Sequence, residues 1–115
     1  MRALNFYSSN YHSQLICRRK TCTIRLGDKT AKYSEGDVVW VTVGKKFFPK
    51  KKIYTAVVDK VAVKPISDLT TEDLQGENPD ITSTEELLVF LLSIYDKPLS
   101  ATDLVTVVYF SEIIE

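Results

Sequence analysis

Six consecutive residues, Val38-Val39-Trp40-Val41-Thr42-Val43, restrict the fold more than any other stretch. β-Branched and aromatic side chains suit a pleated backbone, so this run reads as a strand. It is apolar on both faces, which predicts a central place in a sheet. Gly44 to Lys52 follows as a loop or hairpin tip. Tyr54 to Val63 is the next long strand, with Val57, Val61 and Val63 on its apolar side and Asp59 and Lys60 interrupting the pattern. Val105 to Phe110 is a further β-branched run. Residues 2–7 alternate weakly as a first strand, and Thr21 to Leu26 supplies another.

Helical signals are fewer. Ser8 and Ser9 offer N-cap oxygens for a helix over about Asn10 to Cys17, with Tyr11, Leu15 and Ile16 as its apolar side. A short helix over Thr70 to Leu74 interrupts an otherwise irregular segment from Pro65 to Pro79. Thr82-Ser83-Thr84-Glu85-Glu86 opens the clearest helix, where Ser83 with Glu86, or Thr82 with Glu85, makes a capping box. Leu87, Leu88, Leu91, Leu92 and Tyr95 form one stripe on it, and Lys97-Pro98 ends it. The strands do not alternate regularly with crossover helices, which argues against a doubly wound parallel sheet. The expected fold class is α+β: a small, mostly antiparallel β-barrel of five to six strands with two to three short helices packed outside.

The 115 residues make one expected domain, 1–115, large enough for a single core. No apolar run reaches the roughly 18 residues needed to span a bilayer. The start, Met1 to Tyr7, lacks a signal-peptide apolar region, so the expected location is the cytoplasm and no membrane partner is expected. Two cysteines, Cys17 and Cys22, and one histidine, His12, are too few for a zinc site, so no metal and no cofactor are expected. Net charge is zero, yet it is divided. Residues 1–64 carry 14 Lys and Arg against 4 Asp and Glu, and residues 65–115 carry 1 against 11. Such asymmetry indicates a basic binding face or attraction within the fold.

Arg18-Arg19-Lys20-Thr21-Cys22-Thr23-Ile24-Arg25 holds four cations and two threonines in eight residues. On a strand, Cys22, Ile24 and Leu26 share a core-suited face, while Thr21, Thr23 and Arg25 form a polar row on the other. Arg18 and Arg19 stand before it. Glycine loops for phosphate, paired histidines and a serine–histidine–aspartate set are absent. A second basic stretch is Lys45, Lys46, Phe47, Phe48, Lys50, Lys51 and Lys52. There lysines suit phosphates and the aromatics suit base stacking, or else the tip is simply kept soluble by its charge.

Lys20-Thr21-Cys22-Thr23-Ile24-Arg25 resembles the lysine–threonine–x–threonine–x–arginine signature of the ASCH family, a branch of the PUA-like β-barrels. The preceding helix, the Gly36-Asp37 turn before a valine-rich strand, Leu69 to Asp73, the helix from Thr84 to Tyr95 and Val107 to Phe110 match further family features in order. The resemblance covers nearly the whole chain. One departure is Arg18, where family members commonly carry a glycine that eases the turn from helix to strand.

The resemblance implies a PUA-like barrel and two functions. The first is binding of RNA or a modified nucleoside in a basic cleft, with Arg18, Arg19, Lys20, Thr21, Thr23 and Arg25 as ligand-binding residues. The second, from a small bacterial branch, is an amidohydrolase that removes the acetyl group from N4-acetylcytidine. It implies Lys20, Thr23, Arg25 and Glu77 as working residues. A desolvated lysine beside other cations can act as base towards a threonine nucleophile. Arg25 would be such a neighbouring cation or, alternatively, would hold the developing oxyanion, and Glu77 would shuttle a proton to the leaving amine. By strict alternation Lys20 points away from Thr23 and Arg25, so this chemistry requires Lys20 at an irregular junction before the strand. A third reading, a protein-interaction module docking an acidic partner, rests on the basic half alone.

Overall fold

The computed structural model describes residues 2–6, 12–16, 18–44, 49–78, 83–95 and 99–114. Among these residues, five strands and three α-helices follow in the order β1 (Arg2–Phe6), α1 (His12–Ile16), β2 (Cys22–Leu26), β3 (Val38–Val43), β4 (Lys51–Pro65), α2 (Thr71–Glu77), α3 (Thr84–Tyr95) and β5 (Leu104–Glu112). A 3-10 turn, Ile66–Asp68, joins β4 towards α2. The strands form one sheet in the order β1-β3-β4-β5-β2. Only β1 and β3 pair in parallel; the other three pairs are antiparallel. The sheet curls into a half-barrel consistent with a PUA-like fold.

The curl brings the two edge strands together. Arg25 on β2 donates through Nη2 to the Asn5 carbonyl on β1 at 3.0 Å. The same guanidinium lies over the Phe6 ring, 5.1 Å from its centroid. Inside the barrel, Leu4, Phe6, Val39, Val41, Tyr54, Ala56, Val58, Val108 and Phe110 form one core with Leu15 and Tyr33. A second core lies on the other side of β2 and β5. There Cys22, Ile24, Val105 and Val107 pack under Leu74 of α2 and Leu87 and Leu91 of α3. Both faces of β2 and β5 are therefore covered.

The expected inward face of β4 needs correction. Tyr54, Ala56 and Val58 are buried, whereas Val57 is only partly so. A register shift between Val58 and Lys60 inserts Asp59. This bulge reverses the parity, so Val61 beyond it packs on the barrel core. The Ser111 hydroxyl donates to the extra residue's carboxylate. β3 is interior in strand order, but it is not covered on both faces, since Trp40 is 43% exposed and Val38 40%. On α3 the stripe is narrower than its sequence suggests: Leu87 and Leu91 are buried while Leu92 is half exposed.

Local chemistry explains the ends. Ser83 Oγ accepts from the Glu86 N–H at 3.2 Å and caps α3. Thr70 and Asp73 form a reciprocal capping box on α2. Gly36, at φ +88°, occupies the left-handed region that the Ser34–Asp37 turn requires. That turn is tied to β4, because the Gly36 N–H donates to the Val58 carbonyl and the Val58 N–H to the Asp37 carbonyl. Among the described residues, no helix is long and apolar enough to cross a membrane.

Candidate functional site

Lys20 and Thr21 precede β2, which begins at Cys22. Strict alternation therefore does not apply to Lys20, and its side chain turns inward. The residue is 1% exposed, although lysine is among the residues least often found fully buried. Its Nζ lies 3.1 Å from Glu77 Oε2 and donates to the Glu77 backbone carbonyl at 2.5 Å. It also lies 5.3 Å from the centroid of Phe6, the ring that Arg25 shares. Burial drives the amine below the ordinary lysine range, and the Glu77 carboxylate offsets only part of that. The nearby Arg25 charge pushes in the same direction as burial.

Glu77 is 2% exposed at the end of α2, so it is no solvated loop carboxylate. Its Oε2 also accepts the Ile24 N–H at 2.6 Å. One carboxylate thus fixes both the lysine and the backbone of the strand that follows it. The approach of α2 to β2 depends on Gly76. A Cβ there would stand 2.8 Å from Cys22 Sγ and 2.9 Å from Thr21 Oγ1. The Gly76 carbonyl accepts the Thr21 N–H at 3.1 Å.

Thr23 is buried on the barrel face and accepts from Arg25 Nε at 3.0 Å. Lys20, Glu77, Thr23 and Arg25 thus collect around Phe6, where the edges of the sheet meet. The remaining polar-row residues stand differently. Thr21 is exposed, as is Arg19. Arg18 is also exposed and structurally engaged. It forms a two-point contact with Glu112, each bond 2.9 Å, and its Nη1 donates to the carbonyls of Leu15 and Ile16 at the end of α1. It also lies 4.4 Å from the centroid of Tyr54. Arg18 has φ +59°, so the position where glycine is usual does take the left-handed conformation here. That strain costs roughly 1 kcal/mol or more for a residue with a Cβ.

Of the second basic stretch, Lys45, Lys46, Phe47 and Phe48 lie outside the described residues. Lys50, Lys51 and Lys52 are exposed, and Lys52 Nζ lies 5.3 Å from the centroid of Trp40. Cys17 also lies outside the described residues. Cys22 is a free, buried thiol that donates to the Asp73 carbonyl at 3.3 Å. Burial pushes it up to about 12. Among the described residues, no group of three His, Cys, Asp or Glu is placed to hold a metal ion.

Asp73 is a buried carboxylate that sequence reasoning passed over. It accepts from Lys64 Nζ at 2.8 Å, from the Thr70 N–H at 3.0 Å and from the Tyr109 hydroxyl. Burial would raise its carboxyl, but these donors outweigh burial and hold it below the usual range. Gln14 and Asn78 were likewise passed over. They meet beside Lys20 and Glu77, with Gln14 Nε2 donating to Asn78 Oδ1 at 3.1 Å. Glu77 carried a signal beforehand as a working residue implied by the resemblance; Asp73 fell within the matching segment Leu69 to Asp73 but had no role attached to it. A separate concavity of about 510 Å³ lies at the far end of β2, between Leu26–Asp28 and Leu99–Leu104. Its carboxylates, Asp28 and Asp103, are occupied by neighbouring turn residues.

No protein-family model matches this chain, and no curated protein matches it. Solved structures share its fold. One is an ASCH domain from Lactobacillus crispatus JV V101, 12% identical, with a TM-score of 0.66 over 94% of this chain and 77% of that one. Another is protein EF3133 of Enterococcus faecalis V583, placed in family DUF984, 15% identical, with a TM-score of 0.68 over 98% and 80%. A third is the hypothetical protein PH0355, 19% identical, with a TM-score of 0.69 over 98% and 100%.

Proposed function

We propose that this chain, which has the fold of an ASCH domain, binds a nucleoside, free or within RNA, at the Lys20–Glu77 site. The observation that carries the reading is the buried Lys20–Glu77 pair standing beside the hydrogen-bonded Thr23 and Arg25. A stability role alone is a poor reason to keep such a pair. Taking both charges out of water costs about as much as their attraction returns, and an apolar pair would serve the core as well. Charged and hydroxyl groups gathered where the edges of the sheet meet suit a small polar ligand. Titration calorimetry with cytidine, uridine and N4-acetylcytidine tests this. Thr23→Val removes the hydroxyl at nearly constant volume and should weaken binding by about tenfold. Absence of binding by all three nucleosides refutes the reading.

A second reading, hydrolysis of an N4-acylated cytidine, is favoured by the lowered basicity of Lys20. A neutral amine can take the Thr23 hydroxyl proton as Oγ attacks the acyl carbon. The C–N4 bond then breaks, with the proton passed through Glu77 to the leaving amine, and water cleaves the threonyl ester to release acetate. Arg25, already on Thr23 Oγ1, would support the oxyanion. Cytidine and acetate released above a Thr23→Val control support it, and their absence refutes it. RNA contact through Lys50, Lys51 and Lys52 is tested by salt. Four phosphates on a single strand give a slope of about −3 in log K against log salt, and a flat response argues for a nucleoside alone.

A further inference from the structure

We infer that the Gln14 carboxamide oxygen is the acceptor that reads the exocyclic nitrogen of the bound base, which makes Gln14 a specificity-determining residue. The inference rests on the nucleoside reading above. Gln14 is 8% exposed, and its Oε1 is buried without a hydrogen-bond partner. Among the described residues no other buried side-chain nitrogen or oxygen is left in that state. Such an orphan calls for an explanation, because a buried acceptor forfeits its water without compensation.

Its position supplies one. The Gln14 backbone carbonyl accepts the Arg19 N–H at 2.8 Å and the Lys20 N–H at 3.4 Å. Its side chain holds Asn78, the residue after Glu77. Gln14 therefore touches both strands of chain that carry the buried ion pair. The bond from Nε2 to Asn78 Oδ1 orients the carboxamide, so its free end is an acceptor and not a donor. The complementary ligand group is an N–H. Cytosine presents an amino group where uracil presents a carbonyl oxygen, and two facing oxygens leave both unpaired. A site built to receive an N–H rejects the isosteric ligand that lacks it more strongly than apolar packing can.

The test is titration calorimetry of cytidine and uridine into the wild type, Gln14→Met and Gln14→Asn. The wild type is expected to bind cytidine about tenfold or more tightly than uridine. Gln14→Met keeps the side-chain length and removes the acceptor, so the ratio should fall to within about threefold, with uridine affinity little changed. Gln14→Asn withdraws the carboxamide by one methylene, should lower the ratio as well, and stands in if the methionine variant does not fold. A wild-type ratio near one, or a ratio that survives in either folded variant, overturns the inference while leaving nucleoside binding intact. Failure of both nucleosides to bind the wild type overturns the nucleoside reading and this inference with it.

Discussion

Neutralising Glu77 should expose what the buried pair does for the fold. Glu77→Gln keeps a carboxamide oxygen for the Ile24 N–H, now held at 2.6 Å, so the substitution isolates the charge. What it leaves is Lys20 at 1% exposure without the Glu77 charge beside it. Breaking a buried pair by removing one partner costs about 3–5 kcal/mol. An independent ceiling exists, because the stranded amine can release its proton. From a free-lysine pKa of about 10.4 down to pH 7 is about 3.4 pH units at about 1.36 kcal/mol each, or about 4.6 kcal/mol. The two figures agree. The ceiling also has a pH dependence. The unfolded chain binds the lysine proton below about pH 10.4 and the folded variant does not, so stability rises with pH across that window. Between pH 7 and pH 9 the deficit of the variant relative to wild type should shrink, by at most about 2.7 kcal/mol. Lys20→Met with Glu77→Gln should lose less than the two single changes added together, by at least about 1 kcal/mol. Urea unfolding of all four proteins at both pH values measures this. A Glu77→Gln loss below 1 kcal/mol at pH 7, or one that does not shrink at pH 9, refutes the account of a buried, compensated charge.

Three further outcomes are expected. Gly76→Ala should destabilise by about 1–3 kcal/mol in urea unfolding, because its Cβ meets Cys22 Sγ at 2.8 Å. Helix propensity alone predicts a gain of about 1 kcal/mol, so the sign decides between them. Arg18→Gly should be more stable than Arg18→Ala by about 1 kcal/mol in thermal unfolding, since both lose the Glu112 contact and only glycine is relieved at φ +59°; equal stabilities contradict the strain. Asp73→Asn should flatten the acid limb of the stability curve. The wild-type carboxyl lies below its ordinary value when folded, so its contribution is present above about pH 4 and is lost as pH falls through the lower, folded value. An unchanged acid limb would show that Lys64, Tyr109 and the Thr70 N–H do not hold it.

Much of the fold was legible because its causes are local. The β-branched runs gave β3, β4 and β5 within a few residues, and Ser83 with Glu86 marked the start of α3. The polar row was half legible. Thr23 and Arg25 do share a face, but Thr21 lies outside the strand and is exposed. The single parity read along β4 fails at Val57 and holds at Val61, because the inserted Asp59 reverses every side chain beyond it; the sequence shows Asp59 and Lys60 as an interruption but not which residue is inserted. The ASCH resemblance was legible in six weak motifs, and the fold of the solved ASCH domain agrees with it.

Alternation, β-branching and helix caps depend on neighbours a few residues apart, and these the chain declares by itself. They yielded the elements, their approximate bounds, the apolar face of β2 and, in Leu87 and Leu91, the centre of the apolar stripe of α3. The site depends on contacts that no local rule contains. Lys20 meets Glu77 across 57 positions, Gln14 meets Asn78 across 64, and Arg25 reaches Asn5 across 20 only because the sheet curls. Whether Lys20 points inward was decided where β2 begins, at Cys22, and by the closeness of α2 that Gly76 permits. Burial then sets the basicity of the amine, since desolvation is a property of the folded surroundings and not of the residue.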